Sequence, residues 1–217
     1  MYSDLTPDIE NPRRIRSFVK RAGRMTPSQE HALEHYWPLY GLTLDKGPLN
    51  FTEIFGNDHP VIMEIGFGMG DSLSTMAATM PDNNYIGIEV HRPGVGRLLN
   101  NLATQDLGNV RVFCDDAIEV MAQCIADESL GGVQLFFPDP WHKKKHHKRR
   151  IVQSKFAQDI RQKLAPDGIF HMATDWQQDR ACCGRCADYI QLSLIHIRRC
   201  PPSPLYTTRW TPTPHTT

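Results

Sequence analysis

Glu64-Ile65-Gly66-Phe67-Gly68-Met69-Gly70 sets three glycines at alternate positions directly after an apolar run, with a carboxylate in front of them. Glycines in such a turn let the chain bend tightly and let a ligand approach the backbone. Glu89 stands 19 residues beyond Gly70, where an acid at a strand end can accept hydrogen bonds from both hydroxyls of a ribose. A loop of this kind with such an acid suits a nucleoside-bearing cofactor, either a dinucleotide or S-adenosylmethionine. Two features favour the second. The loop lacks the two-residue gap before its last glycine that accompanies a pyrophosphate on a helix N-terminus. Glu64 would also repel pyrophosphate, whereas it can face a sulfonium or an ammonium group.

Further along, Asp115 and Asp116 follow another apolar run. Asp115 suits a helix cap near Ala117, and Asp116 is then placed to meet the adenine edge at the carboxyl end of a strand. Phe136-Phe137-Pro138-Asp139-Pro140-Trp141 fixes an acid between two prolines and flanking aromatics, a rigid loop that would hold Asp139 beside a methyl acceptor. Immediately after it, His142–Arg150 carries six Lys/Arg and no acid. A charge run is usually a solvated face, but cations next to a reactive loop can anchor a polyanion there. A second basic stretch, Arg13–Arg21, can extend the same footprint.

The elements that must position these residues are legible as alternating strands and helices. Strands are expected over 61–65, 85–90, 110–114, 132–137 and 168–174, with helices near 71–80, 94–104 and 117–126. That alternation predicts an α/β fold, a Rossmann-like, doubly wound and mostly parallel sheet flanked by helices. The chain has 217 residues, enough for one such domain. Residues 1–58 read as a basic arm and helical extension, 59–190 as the catalytic domain, and 191–217 as an irregular tail rich in Pro and Thr. Leu192–Ile197 also resembles the conceptual translation of a sequencing adapter, so residues from about 191 are expected not to be native.

Lys+Arg and Asp+Glu are equal at 24 each, so any nucleic-acid surface has to come from local clustering. No apolar run is long enough for a membrane span and the N-terminus lacks a signal pattern, which makes a cytoplasmic protein the expectation. A monomer is the expected state. Cys182, Cys183 and Cys186 cluster, but no second Cys/His pair stands at zinc-finger spacing, so plain thiols are expected and no metal.

Taken together, several segments resemble the bacterial tRNA (guanine-N7)-methyltransferase family. They are Arg16-Ser17-Phe18, Gly23-Arg24-Met25-Thr26 with Gln29, the Glu64–Gly70 loop, Gly87–His91, Asp116-Ala117, Phe136–Trp141 with Lys143 and its basic continuation, and Ala173-Thr174-Asp175-Trp176. The likeness runs from about residue 13 to 190, and the Pro-Asp-Pro-Trp loop with its basic sequel is the most specific part. The resemblance implies S-adenosylmethionine contacts at Glu64, Gly66, Gly68, Gly70, Glu89, Asp116 and Asp139, with Asp139 as the active-site acid. It gives Lys143 and Asp175 to the substrate, and Lys145, His146, His147, Lys148, Arg149 and Arg150 to tRNA. The methyl acceptor it implies is N7 of the variable-loop guanine. The family's Thr-x-x-Glu substrate segment and closing strands have no match after residue 191. A non-catalytic RNA-binding protein is therefore a second reading, and an NAD-dependent oxidoreductase a third that leaves the basic run unexplained.

Overall fold

The computed structural model describes residues 16–18, 23–139 and 141–174, together with the backbone of 191–196. Among the described residues, seven strands form one sheet: β1 (Gly41–Leu42), β2 (Val61–Ile65), β3 (Asn84–Ile88), β4 (Val110–Phe113), β5 (Leu130–Phe136), β6 (Leu164–Thr174) and β7 (Gln191–His196). Their spatial order is β1-β4-β3-β2-β5-β6-β7, and every pair is parallel. Parallel neighbours cannot be joined by a hairpin, so the chain crosses over between them. The helices are α1 (Pro27–His35), α2 (Trp37–Tyr40), α3 (Phe51–Phe55), α4 (Asp71–Thr79), α5 (Arg92–Thr104), α6 (Ala117–Gln123) and α7 (Ser154–Lys163).

Alternation along each strand builds a core on either side of the sheet. Met63, Ile65, Ile86, Ile88 and Leu135 pack with Val120 of α6 and with Phe156 and Ile160 of α7. On the opposite face, Tyr85 and Val112 meet Leu73 of α4, and Leu98 and Leu102 of α5. The expected doubly wound parallel sheet is therefore the observed one.

The segment before residue 59, expected as an arm with a helical extension, supplies α1–α3 and also the edge strand β1 beside β4. Helix α1 opens with a capping box, in which Gln29 N–H donates to Thr26 Oγ1 at 3.3 Å and Thr26 N–H donates to Gln29 Oε1 at 2.8 Å. It lies against α5, where the Asn100 amide donates to the Ser28 carbonyl at 3.1 Å. Gly96 permits this approach, since a Cβ there would stand 2.7 Å from the Gln29 carbonyl oxygen.

Two sequence expectations change. Gln191–His196 pairs along β6, so these six residues are not part of an irregular tail. Gln-Leu-Ser-Leu is a period-2 alternation that the Pro- and Thr-rich stretch beyond it concealed. Strand β6 also starts earlier than expected, at Leu164, with a register irregularity between Leu130 and Gly132 of its partner that absorbs Pro166. The remainder of the tail and the cysteines at 182, 183 and 186 lie outside the described residues.

Candidate active site at the carboxyl edge of the sheet

Leaving β2, the chain proceeds to β3 and β4 on one side and returns to β5 and β6 on the other. The carboxyl ends of β2 and β5 thus flank the switch point, where open α/β sheets leave a crevice for ligands. The glycine loop follows β2, and the Pro-Asp-Pro loop follows β5. Gly66, Gly68 and Gly70 all have positive φ, at 74°, 61° and 78°, a conformation that strains other residues. At Gly66 and Gly68 a Cβ would meet nothing within 4 Å, so the loop backbone lies open on its outer side. At Gly70 a Cβ would press on Leu98, and at Gly94 it would clash with the Gly68 carbonyl oxygen, so α5 is packed directly against the loop.

The four acids gather along this edge. Glu64, in β2, is 3% exposed, and its Oε2 has no hydrogen-bond partner among the described residues. Burial pushes its carboxyl up to about 7. Glu89, just past β3, accepts from the N–H of Gly68 at 2.9 Å, Val90 at 2.7 Å and His91 at 2.9 Å. Asp116 is buried and caps α6, accepting from Ile118 N–H at 3.0 Å. Asp115 Oδ1 accepts from Asp116 N–H instead, so the expected cap is shifted by one residue. The reason is register: the helix begins at Ala117, which makes the residue directly before it the cap. A cavity of about 260 Å³ opens beside Asp116, bounded by Arg16, Ser17, Ile118, Lys148 and Phe156.

Asp139 is exposed on the loop after β5. Phe137 and Trp141, on either side of it, have φ of 50° and 44°, two of the four positive values at non-glycine residues among those described. Such strain gathers where a loop must hold an unusual shape. It is held by Phe137 N–H donating to the Ala173 carbonyl at 2.8 Å and by Trp141 Nε1–H donating to the Ser17 carbonyl at 2.9 Å.

The basic run, expected as a loop, is a 3₁₀ helix over Lys144–Arg149, started by His146 N–H donating to the Lys143 carbonyl at 2.7 Å. Trp141 organises it, with His146 edge-on at 5.7 Å and the Arg149 guanidinium 5.0 Å from its ring centre. Lys143, Lys144, Lys145 and Lys148 face solvent, and His146, His147 and Arg149 are half-buried. Desolvation, then the surrounding cations, hold the His146 imidazole below its usual value. Arg150 is a correction to the expected tRNA surface: at 7% exposure it points into the fold. Asp175 lies outside the described residues.

Sequence reasoning passed over Gln134 and His171, which share the sheet face of Glu64. A polar residue inside an apolar strand run was the available signal.

A glycine loop open at the switch point, acids at successive strand ends and a basic helix beside a strained acidic loop form an arrangement with room for a nucleoside-bearing ligand next to a cationic surface. Residues 58–196 match the family model described as "Putative methyltransferase". The chain is 58% identical over 165 residues to the tRNA (guanine-N(7)-)-methyltransferase of Alcanivorax borkumensis, covering 76% of this chain and 69% of that one. It is 60% identical over 168 residues to the protein of the same name from Hydrogenovibrio crunogenus, covering 77% and 70%. For that of Pseudomonas putida the values are 58% over 175 residues, with 80% and 73% covered. The chain belongs to the tRNA (guanine-N(7)-)-methyltransferase family.

Proposed function

We propose that this protein transfers a methyl group from S-adenosylmethionine to N7 of a guanine in tRNA. The observation that carries the reading is the buried carboxylate of Glu64, without a partner among the described residues, at the root of an open glycine loop on the edge that also bears the basic helix. A buried acid without a partner is costly unless a ligand completes it. A cationic ligand does so; a pyrophosphate does not.

When bound, S-adenosylmethionine supplies an electrophilic methyl group: the N7 lone pair forms the new N–C bond as the C–S bond breaks and its electron pair passes to sulfur. N7 carries no proton, so the protein has none to remove. Glu64 balances cationic charge beside the loop, Glu89 accepts from ribose hydroxyls, and Asp116 meets the adenine edge. Gly66 and Gly68 give that ligand access to the backbone, and Gly70 lets α5 pack against the loop that holds it. Asp139 orients the guanine and offsets the positive charge that develops on it, an electrostatic role. Holding the two reactants in line is the larger contribution, on the order of 7–11 kcal/mol for well-oriented pairs. Lys143, Lys144, Lys145 and Lys148 hold the tRNA backbone, with His146, His147 and Arg149 behind them, and Asp175 is assigned to the substrate. Among the described residues, no helix is long and apolar enough to cross a bilayer.

Labelled methyl transfer from S-adenosylmethionine to unmodified tRNA, with nucleoside analysis, tests the reading. The expected product is 7-methylguanosine. Bound cofactor and bound tRNA without that product would overturn it.

A further inference from the structure

The register of the sheet places three polar side chains in one row under the glycine loop. Glu64 pairs with Gln134 between β2 and β5, and Gln134 pairs with His171 between β5 and β6. Directly paired residues of parallel strands face the same way, and strands lie about 4.8 Å apart, so each side chain stands beside the next. Each carries a buried atom with no hydrogen-bond partner among the described residues: Glu64 Oε2, Gln134 Oε1 and His171 Nε2. A row of three such atoms side by side across three strands does not serve stability, because unsatisfied buried polar groups destabilise a fold.

Their chemistry gives the row a direction. An ionised Glu64 only accepts, a neutral imidazole donates from one nitrogen, and an amide does both. Burial holds the His171 imidazole below its usual range, favouring the neutral ring, and Phe136 packs edge-on to it at 5.1 Å. His171 Nε2–H can thus donate to Gln134 Oε1, and the Gln134 amide can donate to Glu64 Oε2. We propose that Gln134 and His171 are positioning residues, aiming the Glu64 carboxylate at the cofactor through a His171–Gln134–Glu64 hydrogen-bonded row. The inference rests on the assignment of Glu64 to S-adenosylmethionine. A donor on the inner oxygen favours the charged carboxylate against its burial and leaves Oε1 for the ligand. Closing the row is a matter of side-chain rotation, a common response of a site to its ligand.

The test is a double-mutant cycle on the full chain, read as the Kd for S-adenosylmethionine by calorimetry, with thermal melting as the check on folding. Gln134→Leu is expected to weaken binding roughly ten- to hundredfold, the range of one hydrogen bond to a charged group. In a Glu64→Gln background the same change is expected to have no further effect. Gln134→Met provides the same comparison if the leucine variant melts early. His171→Leu should weaken binding and His171→Gln, which retains an N–H, should restore part of it. Equal losses in both backgrounds, or no loss from Gln134→Leu while Glu64→Gln binds poorly, overturn the row alone. Unchanged binding in Glu64→Gln overturns the cofactor assignment, and the row with it.

Discussion

The Gly68 amide donates to Glu89 Oε2 at 2.9 Å, fastening the loop after β2 to the end of β3. The carboxylate that is proposed to receive the ribose is therefore already the clasp of the glycine loop. Its other oxygen accepts from the Val90 and His91 amides, so one side chain satisfies three backbone donors.

Glu89→Ala leaves those donors without their acceptor. We expect a loss of about 2 kcal/mol or more in stability, since hydrogen bonds to charged groups contribute about 1.5–3 kcal/mol each. Denaturant unfolding measures it, and the Kd for S-adenosylmethionine should rise together with the lost stability. An unchanged midpoint would show that the clasp is dispensable.

Glu64 should make stability depend on pH. Its folded value, about 7, lies above the usual carboxyl value of 4.5, so folding favours the protonated form. The contribution is fully present below about pH 4.5 and is lost as pH rises through 7. At about 1.4 kcal/mol for each unit, the loss approaches roughly 3 kcal/mol. Glu64→Gln should thus match the parent near pH 4.5 and exceed it near pH 8, and unfolding curves at both values decide the matter. Cofactor binding by the parent should strengthen over the same window, because a cation prefers the ionised acid.

Gly94→Ala drives a methyl group into the Gly68 carbonyl. Overpacking of this kind costs about 1–3 kcal/mol, and the structure can relieve it by moving the loop off α5. The expected result is a folded protein with the helical circular-dichroism signal of the parent and at least tenfold weaker cofactor binding.

Asp139→Asn should lower the single-turnover rate of methyl transfer about a hundredfold, the scale of one lost electrostatic contact in the transition state. The Kd for S-adenosylmethionine should stay within a few-fold of the parent. A full rate in the variant would remove Asp139 from the reaction.

The cations of the basic helix should separate into two kinds. Replacing Lys144, Lys145 and Lys148 with Ala should weaken tRNA binding and lower its salt dependence by about 2–3 in slope, without changing the melting temperature. Arg150→Ala should instead lower the melting temperature, because its guanidinium is buried.

What the sequence displayed, and what it hid, follows from how local each signal is. Strands β2 to β5 were legible because short apolar runs bounded by turns need no knowledge of their neighbours. Helix α1 was not, since Ala32 is its one buried residue and its apolar face is thin; the Thr26–Gln29 capping box was the readable cue. Helix α7 buries Phe156, Ala157 and Ile160, a spacing that could have been read. Glu64 and Glu89 declared themselves by their distance from the glycines. Gln134 and His171 did not, because only the register of three strands brings them beside Glu64. A run of like charges likewise carries no sign of which member turns inward, and Arg150 was misread for that reason.

The switch point has a kinetic consequence. The strands that flank it, β2 and β5, are neighbours in the sheet but pair Ile62 with Gly132 and Ile65 with Leu135. Bringing such distant segments together requires closing a long loop, and chains dominated by contacts of that range fold slowly. The pocket therefore has no early, local precursor; it comes into being when the central seam of the sheet closes. A ligand held across that seam would resist opening of the whole domain, so bound cofactor should slow global unfolding and leave the fraying of α1 unaffected.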